Sequence, residues 1–254
     1  MQRRTQLYEG KAKVIFEGPS PRTVVAYFKD DPSAFNIENR KIITGKGVIN
    51  NAISELIMKR LGQIGVPTHF IKRLNMREQL LHQVEIIPVE VVVRNVVAGS
   101  LAKRFAMKEG TPLSRSIVEF YYKNDDLGDP LILEEHITAF GWASHSELDE
   151  IMSMSLRAND FLSGLFSGIG LKLVDFKMEF GRYWDDEQLR ILLADEISLD
   201  SCCLWDLDSE EKLDNNALCQ NPDDVKDVYE EVASRLGVLP DLKHLSEKGI
   251  RLVQ

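Results

Sequence analysis

The chain has 254 residues, 44% hydrophobic and 28% charged, enough to build a sizeable core without disulfide or metal staples. Its net charge of −9 argues against non-specific binding to nucleic acid or to an anionic membrane, and its apolar runs are too short to span a bilayer. Three cysteines without a framework spacing, and no CxxC pair, speak against a disulfide scaffold or a zinc site and for reduced thiols in a cytoplasmic setting.

The opening "MQRRTQLYEG" lacks the apolar stretch of a signal peptide. "KAKVIFEG" and "RTVVAYFKDD" predict a hairpin about the turn "EGPSP". "GVINNAISELIMKRLGQIGVP" has helical periodicity at Ile49, Ala52, Ile53, Leu56, Ile57 and Leu61, closed by Gly65 and Pro67. "THFIKRL" and "QVEIIPVEVVVRN" predict strands. A short helix follows with Ser100 as N-cap and with Leu101, Ala102, Phe105 and Ala106 facing inward.

"IVEFYYK" predicts another strand. Ser146 and Asp149 predict a capping box opening a helix that runs to about Gly168. "LKLVDFKMEFG" and "LRILLADEIS" predict a second hairpin around "RYWDDEQ". Asn221, Pro222 and Gly237 bracket a last helix whose buried stripe is Val225, Val228, Tyr229, Val232 and Leu236. Strands dominate the first part of the chain and mix with helices afterwards. The expectation is an α+β fold of two lobes, residues 1–87 and 88–254.

Four constellations are candidates for chemistry. In "YEGKAK", Lys11 and Lys13 share a strand face, either as cations for nucleotide phosphates or as an ordinary lysine-bearing edge strand. In "TGKGVINN", glycines and Lys46 precede a helix, where free N–H groups favour an anion; a plain turn has the same pattern. In "VEVVVRNVVAGS", Glu90, Val92 and Arg94 share a face ahead of Ser100, with Lys103 and Arg104 on the first turn of the helix it caps. That set suits a monophosphate, or an ordinary capped helix with surface cations.

The fourth is "VDFKMEFG". Val174, Phe176, Met178 and Phe180 fall on one strand face and Asp175, Lys177 and Glu179 on the other, with Asp195 and Glu196 arriving on the returning strand. Clustered carboxylates raise one another's pKa, and a divalent cation relieves this; a solvated amphipathic hairpin would show the same alternation. The spacing alone does not set the hairpin register.

Together "YEGKAK", "FKDDPSAFN", "GKGVINNAISE", "GVPTHFIKR", "EIIPVEVVVRNVVAGSLAKR", "GTPLSRSIVEFYYKNDDLGDP", "LVDFKMEFG" and "ADEISLDS" resemble, in order from Leu7 to about Leu236, the phosphoribosylaminoimidazole-succinocarboxamide synthase (SAICAR synthetase) family of purine biosynthesis. The resemblance implies an ATP-dependent ligase joining L-aspartate to a carboxylated aminoimidazole ribonucleotide through an acyl phosphate, with release of ADP and phosphate. It implies an N-terminal lobe that is mainly antiparallel sheet and an ATP cleft between the lobes. Lys11 and Lys13 would hold ATP phosphates, Glu179 and Asp195 would ligate Mg2+, and Lys177 would neutralise the transferring phosphoryl group. Backbone from Val84 through Ile86 to Ile87 would take the adenine edge. Arg94 and Ser100 would grip the ribose 5′-phosphate, while Asp175, Lys123 and Asp129 would orient the imidazole substrate or aspartate. A homodimer is also implied.

The chain departs from the family pattern Ser-Pro-Asp-Ser-x-Arg-x-Trp in "SLDSCCLW", where Leu199 replaces proline and Cys203 replaces arginine. A thiol makes no charge-assisted fork, so the expected loss is about 1.5–3 kcal/mol of phosphate affinity unless Arg104 or Arg115 compensates. Leu133 stands where many relatives carry asparagine, and His136 reads as catalytic or as a satisfied structural histidine. A kinase-like phosphotransferase and a nucleotide-binding protein without synthetase activity are the competing classes.

Overall fold

The computed structural model describes residues 4–31, 42–186, 188–209, 211–213 and 222–239. Asn221 and most of the stretch after Gly237 lie outside them, as does most of "FKDDPSAFN". The architecture is α+β, built on two antiparallel sheets.

The first sheet has the order β1-β2-β3-β5-β4, from β1 (Gln6–Glu9), β2 (Lys13–Glu17), β3 (Thr23–Phe28), β4 (Phe70–Arg73) and β5 (Glu78–His82). The second has the order β10-β9-β6-β7-β8, from β6 (Glu85–Val96), β7 (Pro112–Tyr122), β8 (Leu131–Ile132), β9 (Leu171–Asp185) and β10 (Gln188–Ala194), and β11 (Cys202–Asp206) pairs with β9 beyond this path. The helices are α1 (Lys46–Gln63), α2 (Gly99–Phe105), α3 (Glu134–Ala139), α4 (His145–Ser167) and α5 (Pro222–Arg235), with a 3-10 turn at Asp125–Leu127.

The core lies on one face of the second sheet. Phe176, Met178 and Phe180 of β9 pack with Val91 and Val93 of β6 and with Leu148, Ile151, Ala158 and Leu162 of α4. Burying each such side chain contributes roughly 1.5–3 kcal/mol, which is why the two-residue period of β9 and the helical period of α4 set the fold together. In α5, Val225, Tyr229 and Val232 are buried in that core, and Val228 and Leu236 pack against its edge.

Several local expectations change. Val174 does not join the other three apolar residues of its strand: the ladder shifts register opposite Cys203 and Leu204, and Val174 packs with Val96, Ala98 and Trp205. The N-cap of α4 is Ser144, not Ser146, and its capping-box partner is Glu147, whose carboxylate Arg182 also grips at 2.6 Å. Ser144 and Glu147 have the same three-residue spacing, and the box with a tertiary partner prevails. Ala98 rather than Ser100 precedes α2, Lys103 and Arg104 fall in its last turn, and Phe105 is exposed. Strands β1, β5, β8 and β11, helix α3 and the 3-10 turn have no counterpart among the expected elements.

Candidate active site

The polar face of the second sheet carries the charged residues, and its register is explicit. Arg94, Val92 and Glu90 of β6 lie beside Asp175, Lys177 and Glu179 of β9, while Glu119 and Tyr121 of β7 flank Val92 and Glu90 on the other side. Alternation along each strand therefore becomes a two-dimensional patch. In the hairpin, Glu179 faces Ala194, so Asp195 follows one residue beyond the ladder, with φ 56°.

Each acid in the patch meets a cation. Lys177 Nζ lies 3.1 Å from Glu90 Oε2, and Lys123, just past β7, pairs with Glu179. Lys13 crosses from the first sheet to bind both Asp195 and Glu196, the latter at 2.6 Å. Burial works against the Lys13 charge, but Asp195 and Glu196 outweigh it and its pKa is raised. The same balance holds for Lys177, where Glu90 and Asp195 win. Burial and Asp195 raise the carboxyl of Glu179 against the pull of Lys123; in Asp195 the lysines, Lys13 first, overcome burial and lower it. Burial carries Glu196 up to about 7. Lys177 keeps 47% of its side chain exposed, so a substrate can reach it.

Arg94 sits at the other end of the patch. Its Nε lies 2.6 Å from Glu119, Nη1 3.1 Å from Asp175, and Nη2 donates to Ser100 Oγ at 2.9 Å and to Tyr121 Oη at 3.1 Å. Burial opposes its charge, Glu119 and Tyr121 prevail, and the pKa is raised. Ser100 is thus a partner of Arg94 and not a helix cap. Arg104 pairs with Glu119 on the same side. Cys203 lies beside Asp175 across the β9–β11 ladder and packs partly against Trp205 and its apolar neighbours.

Other expected residues are placed differently. Lys11 precedes β2 and does not share a strand face with Lys13; its ammonium lies 2.9 Å from Asp125 at the surface. Asp129 accepts the N–H of Asn124 at 2.9 Å and closes the loop after Lys123. Lys46 offers no anion site: it is the first residue of α1, its side chain is fully buried, and it pairs with Asp200 at 2.7 Å. The N-terminus of α1 already holds an anion, because Asp30 accepts the N–H groups of Gly45 and Gly47 at 3.2 and 2.9 Å. His136 closes the start of α3, its Nδ1 accepting the N–H of Leu133 at 3.2 Å.

The chain passes from the first sheet through Gln83 and Val84 into the start of β6 at Glu85, Ile86 and Ile87. Ile86 is exposed and Ile87 buried. Gly181 lies under this passage: a Cβ there would meet Val84 Cγ2 at 2.6 Å and Glu85 O at 3.0 Å, so only glycine allows the approach. Glu119, Tyr121 and His69 were missed in the sequence. The first two were legible, because Glu119, Tyr121 and Lys123 alternate as Asp175, Lys177 and Glu179 do. His69, whose Nε2 donates to Asp195 O at 2.8 Å, carried no local signal.

Among the described residues no group of three or more His, Cys, Asp or Glu side chains is arranged to hold a metal by itself. Glu179 and Asp195 offer hard oxygen donors on one hairpin, which suits Mg2+ held by one or two carboxylates with phosphate oxygens completing its shell.

The SAICAR synthetase family model matches residues 6–236. A phosphoribosylaminoimidazole-succinocarboxamide synthase of Rhodospirillum centenum is 61% identical over 254 residues, covering 100% of both chains. The crystal structure of the synthase of that name from Ehrlichia chaffeensis superposes with a TM-score of 0.88 at 48% identity, covering 93% of this chain and 100% of that one. A SAICAR synthetase in complex with ADP superposes with a TM-score of 0.84 at 39% identity, covering 90% of this chain and 96% of that one.

Proposed function

Because this chain belongs to the SAICAR synthetase family, we propose that it joins L-aspartate to the carboxylate of carboxyaminoimidazole ribonucleotide at the expense of ATP. The observation that carries this reading is the patch in which Arg94, Asp175, Lys177 and Glu179 share one sheet face while Lys13 reaches in from the other sheet. Residues 1–87 and 88–254 serve as nucleotide and substrate lobes, with ATP in the cleft between them.

A carboxylate does not react with an amine unaided, because oxide would have to leave. Attack by the substrate carboxylate oxygen on the γ-phosphorus forms a P–O bond and breaks the bond to ADP. The aspartate amine then attacks the acyl carbon, and phosphate departs with the bonding electrons while the amine loses a proton. The protein's work is to position the reactants and stabilise their charge.

Lys13, with Lys11 at the rim, holds the ATP phosphates. Lys177 stands where negative charge gathers on the transferring phosphoryl group. Glu179 and Asp195 would hold Mg2+, which draws charge from the phosphate oxygens. Backbone at Val84 to Ile87 takes the adenine edge. Arg94, already oriented by Glu119, grips the ribose 5′-phosphate with Ser100. Asp175, Lys123 and Asp129 orient the imidazole substrate and aspartate. The working form is a cytoplasmic homodimer, which sedimentation at micromolar concentration checks.

The test is ADP release with magnesium, ATP, the carboxylated ribonucleotide and aspartate, omitting each in turn. Release that needs both co-substrates supports the ligase. Release without aspartate, onto a hydroxyl acceptor, points to a phosphotransferase. ATP binding without release points to a nucleotide site that has lost its reaction.

A further inference from the structure

Asp200 takes no part in the site just described, yet two helices distant in sequence, α1 and α5, meet on its carboxylate. Its side chain is 5% exposed. Lys46 of α1 lies 2.7 Å from Oδ2, Asn50 of the same helix donates to Oδ2 at 2.9 Å, and Tyr229 of α5 donates to Oδ1 at 2.5 Å. Lys46 also donates to the carbonyl of Asp31 at 2.8 Å. Lys46, Asn50 and Tyr229 are themselves buried. Asp200 is too enclosed to touch a substrate.

What Asp200 holds is the segment 195–201. At one end of it His69 binds the carbonyl of Asp195 at 2.8 Å. Inside it, Ser201 Oγ accepts the N–H of Ser198 at 2.9 Å, Ser198 Oγ accepts the N–H of Asp200 at 3.1 Å, and Ile197 and Leu199 are buried in the core. At the far end Ser201 O accepts the N–H of Lys177 at 2.9 Å. The segment therefore begins at Asp195 and ends on the backbone of Lys177, two charged residues of the patch.

We propose that Asp200 is a positioning residue: clasped by Lys46, Asn50 and Tyr229, it fixes the segment that sets Asp195 and Lys177 relative to each other, and so makes helix α5 part of the active-site scaffold. The inference rests on the ligase reading for what Asp195 and Lys177 do. It also gives the "GKGVINN" motif a role, since its lysine and asparagine bind an internal carboxylate and no ligand phosphate. A misplacement of reacting groups by about 1 Å can cost on the order of a hundredfold in rate, so a buried clasp remote from the chemistry can control it.

The test uses the full chain and two variants. Tyr229→Phe removes one hydroxyl and keeps the packing of α5. The double variant Lys46→Met with Asp200→Asn removes both buried charges together, so that neither is left alone. Mn2+ binding to the ADP-bound protein is followed by electron paramagnetic resonance, and kcat is measured well below the unfolding temperature. Positioning expects Mn2+ affinity and kcat each to fall by about tenfold in the double variant, and less in Tyr229→Phe, while ADP affinity without metal stays near wild type. Folded variants with wild-type Mn2+ affinity and kcat, whatever their melting temperature, overturn the proposal. Failure of the ligase reading shows separately, as wild-type protein with no aspartate-dependent ADP release, and the Mn2+ comparison still decides the role of Asp200.

Discussion

Lys13 and Glu196 stand 2.6 Å apart, the first on β2 of one sheet and the second in the segment that leaves β10 of the other. Burial holds the carboxyl of Glu196 toward its protonated form; Lys13 opposes this and Asp195 and Asp200 reinforce it, leaving the pKa at about 7. A folded-state value above the unfolded one means that the contribution to stability is full below pH 4.5 and is lost as pH rises through 7. Asp195 is shifted the other way and loses its contribution only below its ordinary range, outside that window. The urea stability of the ligand-free protein relative to Glu196→Gln should therefore decline between pH 5 and pH 8, by at most about 3 kcal/mol; the comparison cancels the opposing contribution of His69, whose imidazole burial pushes down to about 4. A difference that stays constant with pH would remove Glu196 from the account.

Replacing Lys13 by methionine should act in two directions. ADP should bind about ten- to a hundredfold more weakly, since a charge-assisted contact is lost. Mn2+ without nucleotide should bind more tightly than to the wild type, because Asp195 and Glu196 lose their resident cation. Calorimetric titration with each ligand alone reads both effects, and weakening of both would contradict the paired arrangement.

Glu179→Gln keeps the size of the side chain and removes its charge. It should lower kcat by about a hundredfold and shift the magnesium dependence to higher concentration. Unchanged kinetics across a magnesium titration would reject Glu179 as a ligand.

An arginine at position 203 would start beside Asp175, with its stem along Trp205 and its neighbours. Cys203→Arg should lower KM for the ribonucleotide about tenfold and leave kcat near wild type, the signature of added uniform binding. A raised KM would mean that the new guanidinium competes with Arg94 for Asp175.

Arg182, the Ser144 cap and the charge of Glu147 act together, and the Arg182 guanidinium holds the Glu147 carboxyl down to about 2. The lowered value makes the contribution present above pH 4.5 and lost as pH falls through 2. Glu147→Gln can still close the capping box, so it isolates the charge. Allowing for solvent screening at this partly exposed site, it should cost about 1–2 kcal/mol at pH 7 by urea unfolding, and the gap should close toward pH 2.

The elements that could be read from the sequence were those whose apolar period is long, such as α1, α4, β6 and the β9–β10 hairpin. Strand β11 is five residues long, with a register shift inside its ladder, and α3 is six residues long, so neither presents enough period to stand out. In the site, the strand residues Arg94, Asp175, Lys177 and Glu179 were found by alternation, because a strand fixes which face each side chain takes. The shared strand face of Lys11 and Lys13 and the anion-site alternative at Lys46 fall away because a glycine-rich segment does not state where it bends. Asp30, which fills the N-terminus of α1, lies fifteen residues before the Gly45 N–H it accepts, so no local pattern revealed it.

The close seat of Val84 and Glu85 on Gly181 bears on inhibition. A compound that reaches this passage meets main chain, whose hydrogen-bonding groups are the same whichever side chains the positions carry. Gly181 beneath it has no room for a Cβ. Resistance by substitution at the point of contact is therefore narrow, and escape variants selected against such a compound should map to the rim of the cleft instead.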